Sequence, residues 1–309
     1  MRLAQSVQSR FLLSIAHMVL GATLYLRGEL TSARPHLEQA IALYDPQKHP
    51  RLPVGTADPR VDCLSYASDT LWLLGYPDQA LKRSHEALAL AAGLSHPFSL
   101  AYVLGCAALF HSIRREEQLA RERAEEVIIL STEQGFPSWL AVGTVVRGWA
   151  LAELGQVKEG IAQRRRFQAT SFLALLLAEA YGKVGQKEEG LTVLAEALAQ
   201  VEKTGQRVLE ADLCRLRGEL TLAQSSVQSL GSSVQKKAEE CFWKAIEIAR
   251  QQQAKSLELR AVMSLSRLWQ RQGKKEEARQ LLAEIYGWFT EGFETKDLQE
   301  AKALLNELT

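Results

Sequence analysis

The chain lacks a surplus of either charge. Its 37 basic and 36 acidic residues leave a net charge of +1, and residues 1–150 carry 14 of each sign. That balance gives no basis for non-specific adhesion to nucleic acid or to an anionic membrane. Cysteine is scarce. Cys63, Cys106, Cys214 and Cys241 lie far apart with no CxxC pair. This argues against zinc ribbons and disulfide scaffolds and suits buried thiols in a reducing compartment. The six histidines form no HExxH pair, so no metal site is expected. A phosphate loop needs GxxxxGK[ST], and the nearest approach, GQVKEGI (155–161), has Ile161 where the lysine must stand. GxGxxG and GxSxG are also missing. The apolar run FLLSIAHMVLGATLYL (11–26) is short for a membrane span and contains His17; it reads as a buried repeat helix rather than a signal peptide. The expectation is a cytoplasmic chain without catalytic residues, cofactor or metal.

Proline (8 residues) and aromatics (7%) are few, and runs of Val, Ile and Thr that would read as strands are nearly absent. What is present is Leu, Ala, Glu, Gln and Arg, all good helix formers. Gly28, Gly75, Gly155, Gly185, Gly218 and Gly273 each follow an apolar helical stretch. A glycine just past a helix takes the left-handed conformation at little cost. Five residues later comes a small residue in most units: Ala33, Ala80, Gly160, Gly190, Ala278. Seven residues earlier comes another: Gly21, Ser68, Gly148, Ala178, Ala211, Ser266. Small residues at both places let antiparallel helices touch. A further unit places Arg114 at its turn and Ala107 seven before it. The carboxylates of KEE (187–189) and KKEE (274–277) then fall at helix N-termini, where they complement the dipole.

The second-helix positions run 33, 80, 119, 160, 190, 238, 278, which sets a period near 40 and about seven units in one domain, 1–309. Long gaps hold a Pro-rich insertion (45–60) and a Ser/Gln-rich loop (223–236). The short linkage at 160–172 predicts a truncated helix after Gly155, or one continuous helix from about Val157 to Val184. The basic triplet RRR (164–166) reads as a solvated face. The hexapeptide LRGELT occurs at 26–31 and at 216–221, and both copies read as the end of a first helix, a turn glycine and the start of a turn.

This small–turn–small spacing is similar to that of tetratricopeptide repeats, with longer units. The fold expected is therefore all-α, a right-handed superhelical solenoid of helix–turn–helix repeats. The stretches 64–91, 132–163, 176–191 and 252–305 resemble the repeat-rich C-terminal region of bacterial class III adenylate/guanylate cyclase–AAA-type ATPase fusion signalling proteins. The last of them, QQAKSLELRAVMSLSRLWQRQGKKEEARQLLAEIYGWFTEGFETKDLQEAKALL, is the most specific. The cyclase and ATPase motifs of that family are not in this chain.

The tetratricopeptide resemblance implies a partner-binding groove built from first helices, at offsets of thirteen, ten, six, three and sometimes two residues before each turn. These offsets select Asp62, Asp69, Trp72, His111, Trp149, Glu179, Lys183, Asp212, Arg215, Arg260, Arg267 and Arg271. The early groove then looks acidic and the late groove basic, suited to a carboxylate-bearing partner. The competing reading is that these are ordinary solvated charges. The function expected is a non-catalytic protein-interaction or sensor scaffold, the regulatory region of a cyclase/ATPase signalling protein or a fragment of one. The alternative is a stand-alone adaptor, and an all-α enzyme ranks below both. Partners expected are a protein or peptide in the groove and an upstream NTPase or cyclase region, with neither nucleic acid nor membrane.

Overall fold

A computed structural model describes residues 9–45, 55–156, 170–224 and 232–309. Among these residues the only regular structure is helix. Helices α1 (Arg10–Leu26) and α2 (Leu30–Leu43) form the first hairpin, α3 (Pro59–Leu73) and α4 (Pro77–Gly93) the second, and α5 (Pro97–Ile113) and α6 (Glu117–Gln134) the third. Next comes α7 (Pro137–Glu153). Helices α8 (Ser171–Lys183) and α9 (Lys187–Thr204) pair, as do α10 (Glu210–Gln224) with α11 (Ser232–Gln252) and α12 (Lys255–Arg271) with α13 (Lys275–Tyr286). Helix α14 (Lys296–Glu307) follows. This is the all-α array of tetratricopeptide-like repeats read from the spacing. No described helix is long and apolar enough to cross a membrane, and the described residues hold no cluster fit to ligate a metal.

Most of the turn glycines behave as expected. Gly28, Gly75, Gly155, Gly185 and Gly273 all have positive φ, between 78° and 90°. The residue after the glycine reaches back to a carbonyl five positions earlier: Glu29 to Leu24, Gln156 to Leu151, Gln186 to Tyr181 and Lys274 to Trp269. These bonds satisfy carbonyls that the helix end leaves open. The third hairpin has no glycine, and Arg115 (φ 61°) takes the left-handed position. The expected turn residue, Arg114, is the helical residue before it. The matching small residue on α6 is therefore fully buried Ala120, while Leu119 stays exposed.

The paired small positions do mark the helix contact. Ser68 Oγ donates to the Ala80 carbonyl at 2.8 Å, and Ser266 Oγ to that of Ala278 at 3.3 Å. A Cβ on Gly190 would come within 3.3 Å of the Ala178 carbonyl oxygen, and one on Gly21 within 2.8 Å of the Leu37 side chain. Such close approach places fully buried leucines, Leu37 and Leu194 among them, at the hairpin cores. Each contributes about 1.5–3 kcal/mol by leaving water.

Gly218 corrects the reading of the repeated hexapeptide. It lies inside α10, without positive φ, and a Cβ there would stand 2.6 Å from the Phe242 ring. It is the small contact residue of its hairpin, the counterpart of Gly21 rather than of Gly28. LRGELT is thus a turn at 26–31 and mid-helix at 216–221. The hexapeptide is equally compatible with both states, and the apolar run around each copy decides between them.

The Pro-rich insertion falls mostly, and the Ser/Gln loop partly, outside the described residues, as do residues 157–169 with the triplet at 164–166. A helix continuous from Val157 to Val184 is not found: Thr170 is non-helical and its hydroxyl caps α8 by accepting from Leu173 N. The described chain gathers into two compact units. The first comprises Met1–Trp72 and Pro77–Arg147, the second Leu73–Tyr76 and Gly148–Thr309. In the first, Val61 and Leu64 of α3 pack with Ala87 and Ala91 of α4 and Val103 of α5. In the second, Ala174, Leu175 and Ala178 of α8, Leu194 and Ala197 of α9, and Leu213, Leu216 and Leu220 of α10 share one core.

Candidate partner-binding face

In the second unit the first helices pack side by side, α8 on α10, α10 on α12, and α12 on α14. Seven of the twelve groove residues expected from the spacing make polar contacts there, and five of them, Trp149, Glu179, Asp212, Arg215 and Arg260, are linked in one row. Trp149 on α7 donates its indole N–H to Glu179 Oε2 on α8 at 2.9 Å. Glu179 faces Arg215 on α10 at 3.6 Å. Arg215 Nε donates to Asp212 one turn earlier, and its Nη1 lies 2.8 Å from Glu219. Arg260 on α12 reaches back to Asp212 at 3.6 Å and forward to Asp297 on α14 at 2.7 Å. Arg267, two turns on along α12, pairs with Glu300 at 3.1 Å. Lys183 at the end of α8 pairs with Glu153 at 3.2 Å.

Burial grades these contacts. Arg215 and Arg260 are nine-tenths buried, and so is Asp212. Burial works against the Arg215 charge, but Asp212, Glu219 and Glu179 outweigh it and hold its pKa well above the ordinary guanidinium value. For Glu179 burial wins. Its pKa is raised by desolvation and by the neighbouring Asp212 charge, against the pull of Arg215, Arg260 and the Trp149 hydrogen bond. The Glu219 carboxylate also accepts from Ser264 on α12 at 2.6 Å. The reading of these positions as ordinary solvated charges fails at Asp212, Arg215 and Arg260, which lie inside the molecule.

The expectation of a basic late groove is also corrected. Arg215, Arg260 and Arg267 each face a carboxylate already, and Glu179, Asp212, Glu219, Asp297 and Glu300 outnumber them. Sequence offsets found the arginines but missed Glu219, Asp297 and Glu300. Glu219 was lost because Gly218 was taken for a turn. Asp297 and Glu300 sit on α14, which follows the last turn glycine and so has no offset to count from. Arg271 is exposed in the last turn of α12.

The first unit holds the early positions. Asp62 accepts from the Tyr102 hydroxyl of α5, and Asp69 from the Tyr25 hydroxyl of α1 at 3.5 Å. Trp72 is buried, 3% exposed. His111 does not face a groove. It is buried, and its Nδ1 lies 2.6 Å from Glu116 Oε2. The left-handed residue of that turn is Arg115, so His111 stands four residues before it and points across the turn. Burial would raise the Glu116 pKa, but hydrogen bonds from His111 and Arg114 prevail and lower it.

No protein-family model matches the chain, and no curated protein matches it. Solved structures do. A Rap protein complexed with Competence and Sporulation Factor superposes with a TM-score of 0.55 at 16% identity, over 96% of this chain and 79% of that one. Yeast Tom70 gives a TM-score of 0.46 at 14% identity, over 99% of this chain and 56% of that one. The Rap protein is similar to this chain in fold: both are built of tetratricopeptide-like helical repeats.

Proposed function

We propose that the chain is a protein-interaction scaffold that takes a protein or peptide segment along the first-helix face of its second unit. The supporting observation is the linked row from Trp149 through Glu179, Arg215, Asp212 and Arg260 to Asp297, carried by five successive first-layer helices. Buried members fix the row, and half-buried Glu179, Glu219 and Glu300 are left at its surface. With carboxylates in surplus, the partner segment carries lysine or arginine rather than acidic residues. Charge complementarity of this kind sets specificity and association rate. A complex formed on the same fold by the Rap protein accords with a binding role.

The test is an array of peptides matched in length and hydrophobicity, with lysine/arginine-rich, aspartate/glutamate-rich and uncharged members. The purified chain is expected to retain the basic members, less so at high salt, and to lose them in a Glu219→Lys/Glu300→Lys variant. Equal retention of all three classes would refute the reading.

The finer reading is that the scaffold serves as the sensor region of a cyclase–ATPase signalling protein. The resemblance of residues 64–91, 132–163, 176–191 and 252–305 supports it. Added to the catalytic core of such a protein, the chain should alter its nucleotide turnover. An unchanged turnover would leave the stand-alone adaptor.

A further inference from the structure

The first unit carries two carboxylates that no cation among the described residues answers. Asp62 and Asp69 stand two turns apart on α3. Asp69 accepts from Tyr25 of α1 at 3.5 Å, and Tyr25 meets Tyr66 of α3 edge to face, with ring centroids 5.3 Å apart. Asp62 accepts from Tyr102 of α5. Beside Asp69, between α3, α4 and α5, is a cavity lined by Ser65, Ser68, Ser84, Cys106 and Phe110. Its volume is ≈ 10 Å³, the lower limit for a single water. Asp69 itself is only partly exposed, so a charge formed on it has one long hydroxyl hydrogen bond and little water to stabilise it.

The ionisable groups that Asp69 acts on are all acids: Tyr25 from α1, Tyr66 on its own helix and Cys106 from α5. Helix α4 offers the cavity only Ser84 and Ala87. Among the described residues no lysine, arginine or histidine acts on either carboxylate.

We propose that Asp69 is a proton-operated latch that holds the first hairpin, α1 and α2, on the second repeat. With its proton, the Asp69 carboxyl sits in the Tyr25 contact as a neutral group. Without it, an uncompensated charge remains between α1 and α3, and the tie loosens. Burial raises the Asp69 pKa from 3.8 to about 7, against the smaller lowering effect of the Tyr25 hydrogen bond. The native state thus holds a proton that the unfolded chain has already lost. The stabilisation is full below the ordinary carboxylate value and disappears as pH rises through about 7. Another titrating group of this hairpin works in the opposite direction. His17 meets His36 at 2.8 Å between α1 and α2, and burial, then His36, lowers the His17 pKa, so His17 weakens the hairpin on the acid side.

Hydrogen–deuterium exchange of the whole chain, read on peptides within 10–26 at pH 5.5 and 8.5 and corrected for intrinsic rates, tests the latch. Protection of α1 should fall at pH 8.5 by about tenfold or more, the equivalent of one pKa unit of coupling. Asp69→Asn should abolish the loss of α1 protection at pH 8.5, leaving only the opposite, acid-side loss due to His17. Tyr25→Phe removes the donor that favours the ionised form, so its transition should move to higher pH. Unchanged α1 protection in the wild type, the same pH response in Asp69→Asn, or an unmoved transition in Tyr25→Phe would each overturn the proposal.

Discussion

Replacing Arg260 with methionine separates a structural charge from a surface one, because α12 carries one of each. Arg260 is 9% exposed and donates to Asp297 at 2.7 Å, with Asp212 at 3.6 Å on its other side. Arg267, two turns along the same helix, is 42% exposed and pairs with Glu300 at 3.1 Å. Methionine keeps the length and helix propensity of arginine, so each substitution reports mainly the charge. Breaking a buried pair from one side leaves the partner charged and desolvated, which costs about 3–5 kcal/mol. Asp212 keeps Arg215, so the loss falls mainly on Asp297. The exposed pair should cost no more than about 1 kcal/mol. Arg260→Met should therefore lower the melting temperature by roughly 6–20 °C and Arg267→Met by less than about 4 °C, at 2–4 °C per kcal/mol for a body of this size. Thermal melts followed by circular dichroism, with urea titrations beside them, measure both. Asp297→Asn placed on Arg260→Met should recover part of the loss, since it removes the buried charge that Arg260 faced. Equal effects of the two single substitutions, or no recovery in the double variant, would refute the claim that burial makes this row a fixed scaffold.

The two copies of LRGELT should respond differently to alanine. Gly28→Ala forces a left-handed conformation on a residue with a Cβ, at roughly 1–2 kcal/mol whatever its neighbours are. Gly218→Ala drives a Cβ to 2.6 Å from the Phe242 ring, an overpacking cost of about 1–3 kcal/mol, set against about 1 kcal/mol of helix propensity in alanine's favour; trimming Phe242 to leucine should relieve it, and urea titration of the single and double variants checks this. Trp149→Phe removes an indole donor to the Glu179 carboxylate, a bond to a charged group contributing about 1.5–3 kcal/mol, and should raise the Glu179 pKa further, visible in the carboxyl carbon resonance. Phe242→Ala, at a fully buried position, should cost about 3–5 kcal/mol by the same melts.

Much of the fold was legible because helix termini and helix faces are local properties. A glycine with an apolar stretch before it and polar residues after it identifies a C-terminal turn, and five of six such glycines are turns. Gly218 was misassigned because its flanks look the same over six residues; only Phe242, on the next helix, shows that the position is a close contact. Arg115 was missed by one residue because a non-glycine in the left-handed conformation leaves no mark in composition. The candidate face divides in the same way. Offsets from true turns led to Trp149, Glu179, Arg260 and Arg267. The charge of the face depended on Glu219, Asp297 and Glu300, which lie 33–45 residues from the partners they meet across helices, beyond the reach of any local pattern.

The sequence by itself determined that this chain is a row of helical hairpins, because periodicity, turn glycines and paired small residues are fixed by backbone sterics within one or two helices. Only the tertiary structure decided which charges lie inside. Whether an arginine is a solvated side chain or a buried tie depends on the water that its neighbours remove, and those neighbours come from other helices. The same applies to Asp69. In the sequence it is one more groove-offset carboxylate; packing of α1, α3, α4 and α5 around it raises its pKa to about 7, with no cation among the described residues acting on it.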